Sequence, residues 1–174
     1  MGNLLFSPSG RIGPGQFMSG YIVVIGISLA MSLLMGFVPM LALLSLPLAL
    51  ALLWMTIALW IKRYHDGGKS GWMCLIPIIV GGVIGAIVGS LLSKMFIDPN
   101  AALAATEAAE AAAEAGDIGG AFSAAMGAAK MSPVGVIVTS LVGAAISYVI
   151  AMVFNNMIKH DAHDNQYGPE AGTL

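Results

Sequence analysis

Charge is the scarcest property of this sequence, because seven basic and nine acidic residues make up only 9% of its 174 residues. Soluble domains carry about 25% charged residues, so this chain has too little charge for a surface that faces water. The net charge of −2 gives no basic field for nucleic-acid phosphates. A single cysteine, Cys74, leaves no partner for an internal disulfide. These absences argue against a soluble enzyme, a nucleic-acid-binding protein and a disulfide scaffold.

Apolar residues dominate instead, at 58% of the chain with a mean hydropathy of +0.89. A helix that crosses a membrane needs about 20 such residues. The first long uncharged run accommodates two spans, about 17–37 and 43–61, and Pro39 favours a break between them because proline disfavours helical geometry. Two later runs predict spans at about 72–92 and 134–154. We therefore expect an all-α fold, a polytopic membrane protein with four transmembrane helices in one domain.

The segments outside the spans indicate an orientation. The arm 1–16 lacks the charged start of a signal peptide, and with four spans it lies on the same side as the tail 155–174. Cytoplasmic loops are enriched in Lys and Arg. The shared side holds five of the seven basic residues, namely Arg11, Lys62, Arg63, Lys69 and Lys159, whereas Lys94 and Lys130 lie opposite. We expect both termini to be cytoplasmic.

The Ala/Glu-rich segment 93–132, between spans three and four, carries five of the nine acidic residues. Asp98 and Pro99 are typical of a helix start, and the alanines that follow have the best helix propensity. The predicted helix covers 101–115, and a second short helix covers 121–131. One face of the first helix carries three carboxylates, Glu107, Glu110 and Glu114. We expect a helical extramembrane loop whose acidic face contacts a partner.

Small residues recur at intervals of four in the last two spans. The third span has Gly81, Gly85 and Gly89, and the fourth has Gly135, Thr139, Gly143, Ser147 and Ala151. Such ridges let helix backbones approach closely in lipid. They predict that spans three and four pack on each other, the simpler interpretation, or on a partner.

The predicted spans contain no Asp, Glu, Lys, Arg or His. Ionisable groups in a bilayer usually mark ion paths or proton relays, so proton-coupled transport by one subunit is not expected. A path for a neutral solute would need hydroxyl groups, and the spans offer Ser28, Ser32, Thr56, Thr139 and Ser147. The simpler interpretation is that these hydroxyls bond to carbonyls of their own helices.

Polar residues concentrate in the link between spans two and three, RYHDGGKSGW at 63–72. Trp72 suits the membrane interface. Three roles are open for the others: anionic-headgroup binding through Arg63 and Lys69, acid–base chemistry by His65 with Asp66, or a structural staple. In the staple, Asp66 accepts hydrogen bonds from loop amides or Arg63. The staple is favoured because no nucleophile or second carboxylate is adjacent.

This link resembles the family of small bacterial inner-membrane proteins called domain of unknown function 805, the YhaH-like proteins. Three blocks carry the resemblance: Ser9-Gly10-Arg11 followed by Phe17, the pattern Arg-x-His-Asp-x-Gly-Lys-Ser-Gly-Trp at 63–72, and Asn165-x-Tyr167-Gly168-Pro169. Pro14 and Met18 depart from the family pattern, which usually has arginine and tryptophan there. The Ala/Glu-rich segment looks like an addition to the family plan, which suggests a lineage-specific contact. The resemblance implies an inner-membrane location and no assigned reaction, substrate or cofactor.

The tail offers further polar groups in His160, Asp161, His163 and Asp164, on the same side as His65. Imidazole and carboxylate suit transition metals, but the spacing matches no zinc pattern, so no metal or cofactor is expected. We expect the three blocks to converge beneath the bundle. In that arrangement Arg11 or Arg63 pairs with Asp66, Tyr167 packs against the link, and Asn165 belongs to the same cluster.

The functional hypothesis is a non-catalytic membrane protein that acts through helix packing and association. It would be an accessory or scaffold subunit of a larger membrane complex, or a self-associating protein, with membrane lipids as its other partners. The alternative is a lipid-headgroup-binding or small-solute transport protein that uses Arg11, Arg63 and Lys69. Arg63→Ala and Asp66→Ala would abolish flux or lipid binding under the alternative, and would chiefly lower stability under the first hypothesis.

Overall fold

The computed structural model describes residues 2–38, 41, 44–128 and 131–172. Its α-helices, in chain order, are α1 (Gly2–Phe6), α2 (Pro14–Phe37), α3 (Ser45–Asp66), α4 (Leu75–Phe96), α5 (Pro99–Glu114), α6 (Ile118–Ala128) and α7 (Pro133–Met157). A 3-10 helix, Gly71–Cys74, leads directly into α4. No strand occurs in these ranges beyond an isolated bridge between Asn165 and Gly168.

Four segments are long and apolar enough to cross a membrane: Pro14–Phe37, Leu46–Asp66, Gly71–Phe96 and Pro133–Met157. The predicted all-α fold with four membrane-spanning helices is therefore confirmed. Pro39, the predicted break, lies outside the described residues, and so do residue 43, where the second span was placed to begin, and Lys130.

Helix α3 continues past Ile61, the predicted end of the second span, through the charged residues to Asp66. Lys62 is 3% exposed and Arg63 is 1% exposed. Lys62 Nζ donates to the carbonyl oxygens of Asn3, at 3.0 Å, and Leu4 in α1. Because protein groups replace the water around these cations, the helix need not end where charge begins.

In the bundle, α2 packs against α3 and α7, and α7 packs against α4. The buried core lies toward the end where α2 begins and α3 ends. There Trp60 meets Phe17 with ring centroids 4.4 Å apart, and Tyr21 and Phe154 meet the same indole edge-on. Phe17 and Trp60 are at most 1% exposed. This aromatic cluster closes the bundle at that end.

Helices α4 and α7 are neighbours as predicted, but their small-residue ridges do not touch along their length. A Cβ added at Gly85, Gly89 or Gly143 would meet open space, and the ridges line a cavity of about 200 Å³. The close approach comes at one end, where a Cβ on Gly135 would lie 2.5 Å from Phe96 Cβ. A second approach, between Gly36 of α2 and Val136 of α7, was not predicted.

Helices α5 and α6 form a hairpin that packs chiefly on itself. Asp98 Oδ1 caps α5 by accepting from Asn100 N at 2.9 Å, as the sequence predicts. The turn after α5 uses Gly116 at φ +76°, a conformation that glycine adopts without strain. The half-buried residues of α5 recur at helical spacing, Ala102, Ala105, Ala109 and Ala112, and the glutamates lie on the opposite side.

Candidate functional site

Asp66, the last residue of α3, is the centre of a buried polar network. Its side chain is 0% exposed, and both carboxylate oxygens are occupied. Arg63 Nη1 donates to Oδ2 at 2.8 Å, Arg11 Nη2 donates to Oδ1 at 3.3 Å, and His160 Nδ1 lies 2.9 and 3.0 Å from the two oxygens. We call Arg11, Arg63, Asp66, Asn155 and His160 the polar clasp.

Arg63 joins α3 to the end of α7. It stands one turn before Asp66, so helical spacing places both side chains on one face. Its Nε donates to Asn155 Oδ1 at 2.5 Å, and its Nη2 donates to the carbonyl oxygens of Asn155 at 3.1 Å and Ile158 at 2.5 Å. These carbonyls belong to the last turn and cap of α7, where a cation also meets the negative end of the helix dipole. Asn155 Nδ2 in turn donates to the Pro14 carbonyl at 3.2 Å, which includes α2 in the network.

Arg11 joins the N-terminal arm to the tail. Its Nη1 donates to the carbonyl oxygens of His163 at 2.7 Å and Gly168 at 3.3 Å, and its Nη2 donates to that of Asp161 at 2.5 Å. Its side chain is 1% exposed. The arm, the end of α3 and the tail are therefore held at one end of the bundle by one guanidinium.

A second set of contacts fixes the tail on the link. The rings of His65 and Tyr167 stack with centroids 3.8 Å apart and planes 4° apart. Asn165 Nδ2 donates to the His65 carbonyl at 3.1 Å and to Asp161 Oδ2 at 3.2 Å. The Asn165 amide holds the pKa of Asp161 below its usual value, outweighing the opposite effect of burial, and the His163 amide and Arg11 act in the same direction.

The three sequence blocks thus converge as expected, and both candidate arginines pair with Asp66. Lys69 is exposed and takes no part in an ion pair within the described ranges. Trp72 is 79% exposed, beside a mainly apolar cavity of about 480 Å³ whose wall includes His65 and Tyr167. Glu107, Glu110 and Glu114 are exposed on α5, remote in sequence and fold from the clasp.

The sequence did not predict two residues of the clasp, Asn155 and His160, or the burial of the neighbouring Lys62. Asn155 directly follows the fourth apolar run, and the sequence places it only in the tail. Nothing in the sequence indicates that α1 will cover Lys62. His160 was weighed as a metal ligand, but its Nδ1 contacts Asp66. Among the residues the structure describes, no three His, Cys, Asp or Glu side chains come together as metal ligands would.

Asp66 and Arg63 are fully paired within the chain, whereas Arg11 Nε and His160 Nε2 are buried without a hydrogen-bond partner among the described residues. Asp66 has partners on both oxygens, and Arg63 uses all three guanidinium nitrogens on protein acceptors. A general base needs access to the proton that it abstracts, and Asp66 has no solvent access. The geometry suits a structural staple between three segments of the chain.

A bundle of four apolar helices, closed at one end by a buried ion-pair network, defines a polytopic helical membrane protein. The chain belongs to the family described as "Protein of unknown function (DUF805)", which it matches over residues 5–169. The match includes every residue of the polar clasp, and it confirms the family resemblance seen in the three blocks. No curated protein and no solved structure matches the chain.

Proposed function

We propose that this protein is a non-catalytic integral membrane protein that acts by association, as an accessory or scaffold subunit of a larger membrane complex. The observation that carries the proposal is the α5–α6 hairpin. It stands outside the spans, packs chiefly on itself and buries no residue of α5. At 16 residues, α5 is about 24 Å long, which provides a long free surface.

The chemistry of this surface fits a protein partner. Its acidic face consists of Glu107, Glu110 and Glu114, while Ile118 and Phe122 of α6 are 83% and 52% exposed. Exposed apolar side chains and charged side chains both occur in protein interfaces. The proposed partner therefore presents a basic surface outside the bilayer.

The polar clasp supports association over the alternative of headgroup binding. Arg11 and Arg63, the two arginines of the alternative, are 1% exposed and donate to groups of the protein itself. Only Lys69 of that set is exposed. A phosphate at either arginine would have to displace several existing hydrogen bonds, which makes lipid recognition by these two residues unfavourable.

The proposal places the protein in the bacterial inner membrane with both termini in the cytoplasm. The support is the basic character of the clasp end, which carries Arg11, Lys62, Arg63, Lys69 and Lys159, together with the rule that cytoplasmic loops are enriched in such residues. A reporter that is active only in the cytoplasm tests the placement of the termini. We expect it to be active both when fused at residue 1 and when fused after the tail.

The test of association is cross-linking in native membranes followed by purification in mild detergent. We expect a companion protein with the wild type and at least a tenfold lower yield with Glu107→Lys/Glu110→Lys/Glu114→Lys, because like charges would then face each other. The matched control is Glu107→Asp/Glu110→Asp/Glu114→Asp, which keeps the charge and should keep the companion. A wild type that purifies only as a bare monomer, or a companion retained by the lysine variant, would refute the proposal.

A further inference from the structure

A cleft with hydroxyl side chains in its wall lies in the membrane-spanning part of the bundle, between α2, α3 and α7. Its volume is about 320 Å³, within the range of about 300–1,000 Å³ typical of ligand pockets. All five hydroxyl residues singled out in the spans line it, from Ser28 of α2 to Ser147 of α7, and Tyr21 and Ser140 join them. Adjoining cavities of about 200 and 150 Å³ share Ser147 as a wall.

The cleft is blind at the clasp end. Tyr21 lines it and packs against Phe17 and Trp60, with ring centroids 5.3 and 5.8 Å apart. Both of those rings are at most 1% exposed, and the polar clasp covers this end of the bundle. The cleft is therefore a pocket rather than a continuous pore through the bundle.

Three hydroxyls in the cleft already donate hydrogen bonds to backbone carbonyls of their own helices. Ser28 donates to Val24 O at 2.8 Å, Thr56 donates to Leu52 O at 2.9 Å, and Thr139 donates to Gly135 O at 2.7 Å. These are the bonds to the same helix that the simpler interpretation predicts. Each oxygen keeps a lone pair, so the cleft wall offers acceptors.

Other hydroxyls in the cleft donate no hydrogen bond to the protein. Ser147, which lines the cleft, has no hydrogen-bond partner among the described residues. Ser140 is already paired, because Ser32 Oγ lies 2.9 Å from it and donates its own proton to Leu29 O at 3.0 Å, which leaves Ser32 Oγ as an acceptor for Ser140. Tyr21 is 8% exposed, and its hydroxyl donates to no acceptor among the described residues. A hydroxyl without a partner inside the bilayer is unfavourable, because lipid tails cannot supply one.

We propose that this cleft binds an uncharged polyol, because a hydroxyl group both donates and accepts and so matches the mixed wall. The membrane-spanning wall around Tyr21 and Ser147 has no charged group to balance a phosphate, carboxylate or ammonium, which excludes charged ligands. The polyol is either a free solute such as glycerol or the hydroxyl end of a diacylglycerol. This proposal is independent of the proposed association through the hairpin.

Two arms of one experiment distinguish the sources. Saturation-transfer NMR with glycerol, on protein in nanodiscs free of diacylglycerol, detects a free polyol. Native mass spectrometry with dioleoylglycerol, against dioleoylphosphatidylglycerol as the charged comparison, detects the lipid. We expect binding in at least one arm and no preference for the charged lipid.

The variants remove single hydroxyls and keep the shape of the side chain. Tyr21→Phe and Ser147→Ala should each weaken binding roughly three- to tenfold, the loss expected for one hydrogen bond. Tyr148→Phe and Ser90→Ala remove hydroxyls outside the cleft and should leave binding unchanged. Absence of binding in both arms, or equal binding by the cleft variants and the outside variants, would overturn the proposal.

Discussion

Replacement of Asp66 by asparagine is the sharpest perturbation of this fold, because it removes one charge and leaves the shape of the side chain. Arg63 and Arg11 would lose the carboxylate that pairs with both of them, at 2.8 and 3.3 Å, in a site with no solvent access. Removal of one partner of a buried ion pair costs about 3–5 kcal/mol. Both arginines keep bonds to backbone carbonyls, so we expect the lower end, about 3 kcal/mol. That loss lowers the folding equilibrium constant more than about a hundredfold.

The assay for Asp66→Asn is reversible unfolding by SDS in mixed micelles, with Glu110→Gln on the exposed face of α5 as the matched control. The control should change the free energy of unfolding by less than about 0.5 kcal/mol. A double-mutant cycle with Arg63→Met should give a coupling of about 2 kcal/mol, because each single change already breaks the shared pair. An Asp66→Asn variant as stable as the control, or strictly additive single changes, would refute the claim that the Arg63–Asp66 ion pair stabilises the polar clasp.

Two further predictions concern the tail and the helix contacts. The pKa of Asp161 is lowered in the fold, so its contribution to tail docking is present above the ordinary aspartate value of about 3.9 and is lost as pH falls through the lowered value. Limited proteolysis of the tail against pH should show release only in that acidic window, and Asn165→Ala should move the release to higher pH. Gly135→Ala should destabilise the bundle because its Cβ would lie 2.5 Å from Phe96 Cβ, whereas Gly85→Ala enters open space. Unfolding in the same SDS assay compares the pair, and Gly85→Ala should be neutral or stabilising by up to about 1 kcal/mol; equal effects of the two would contradict the packing described.

Local signals in the sequence predicted much of this fold. Uncharged runs marked the four spans, and Asp98 with Pro99 marked the start of α5, because each depends on a few neighbouring residues. The pairing of Arg63 with Asp66 was also accessible, since three positions on a helix place two side chains together.

The rest of the clasp depends on contacts between distant segments. Asn155 and His160 meet the end of α3 across more than 90 positions, and no local pattern encodes such a meeting. The burial of Lys62 has a cause of the same kind. Whether Lys62 is solvated or buried depends on α1, which the sequence did not predict.

The small-residue ridges show what residue spacing alone does not predict. Spacing established which faces of α4 and α7 carry small residues, and the two helices are neighbours. Spacing alone did not establish the distance between the two helices. These faces border a cavity at Gly85 and Gly143.

The contacts of Arg63 with the end of α7 have a consequence for biosynthesis. Helices α2 and α3 enter the membrane before α7 is made, and until then Arg63 and Asp66 lack Asn155, Ile158 and His160. The polar clasp therefore closes only after the last helix and the tail have been made, so the final segment of the chain to be synthesised completes the network.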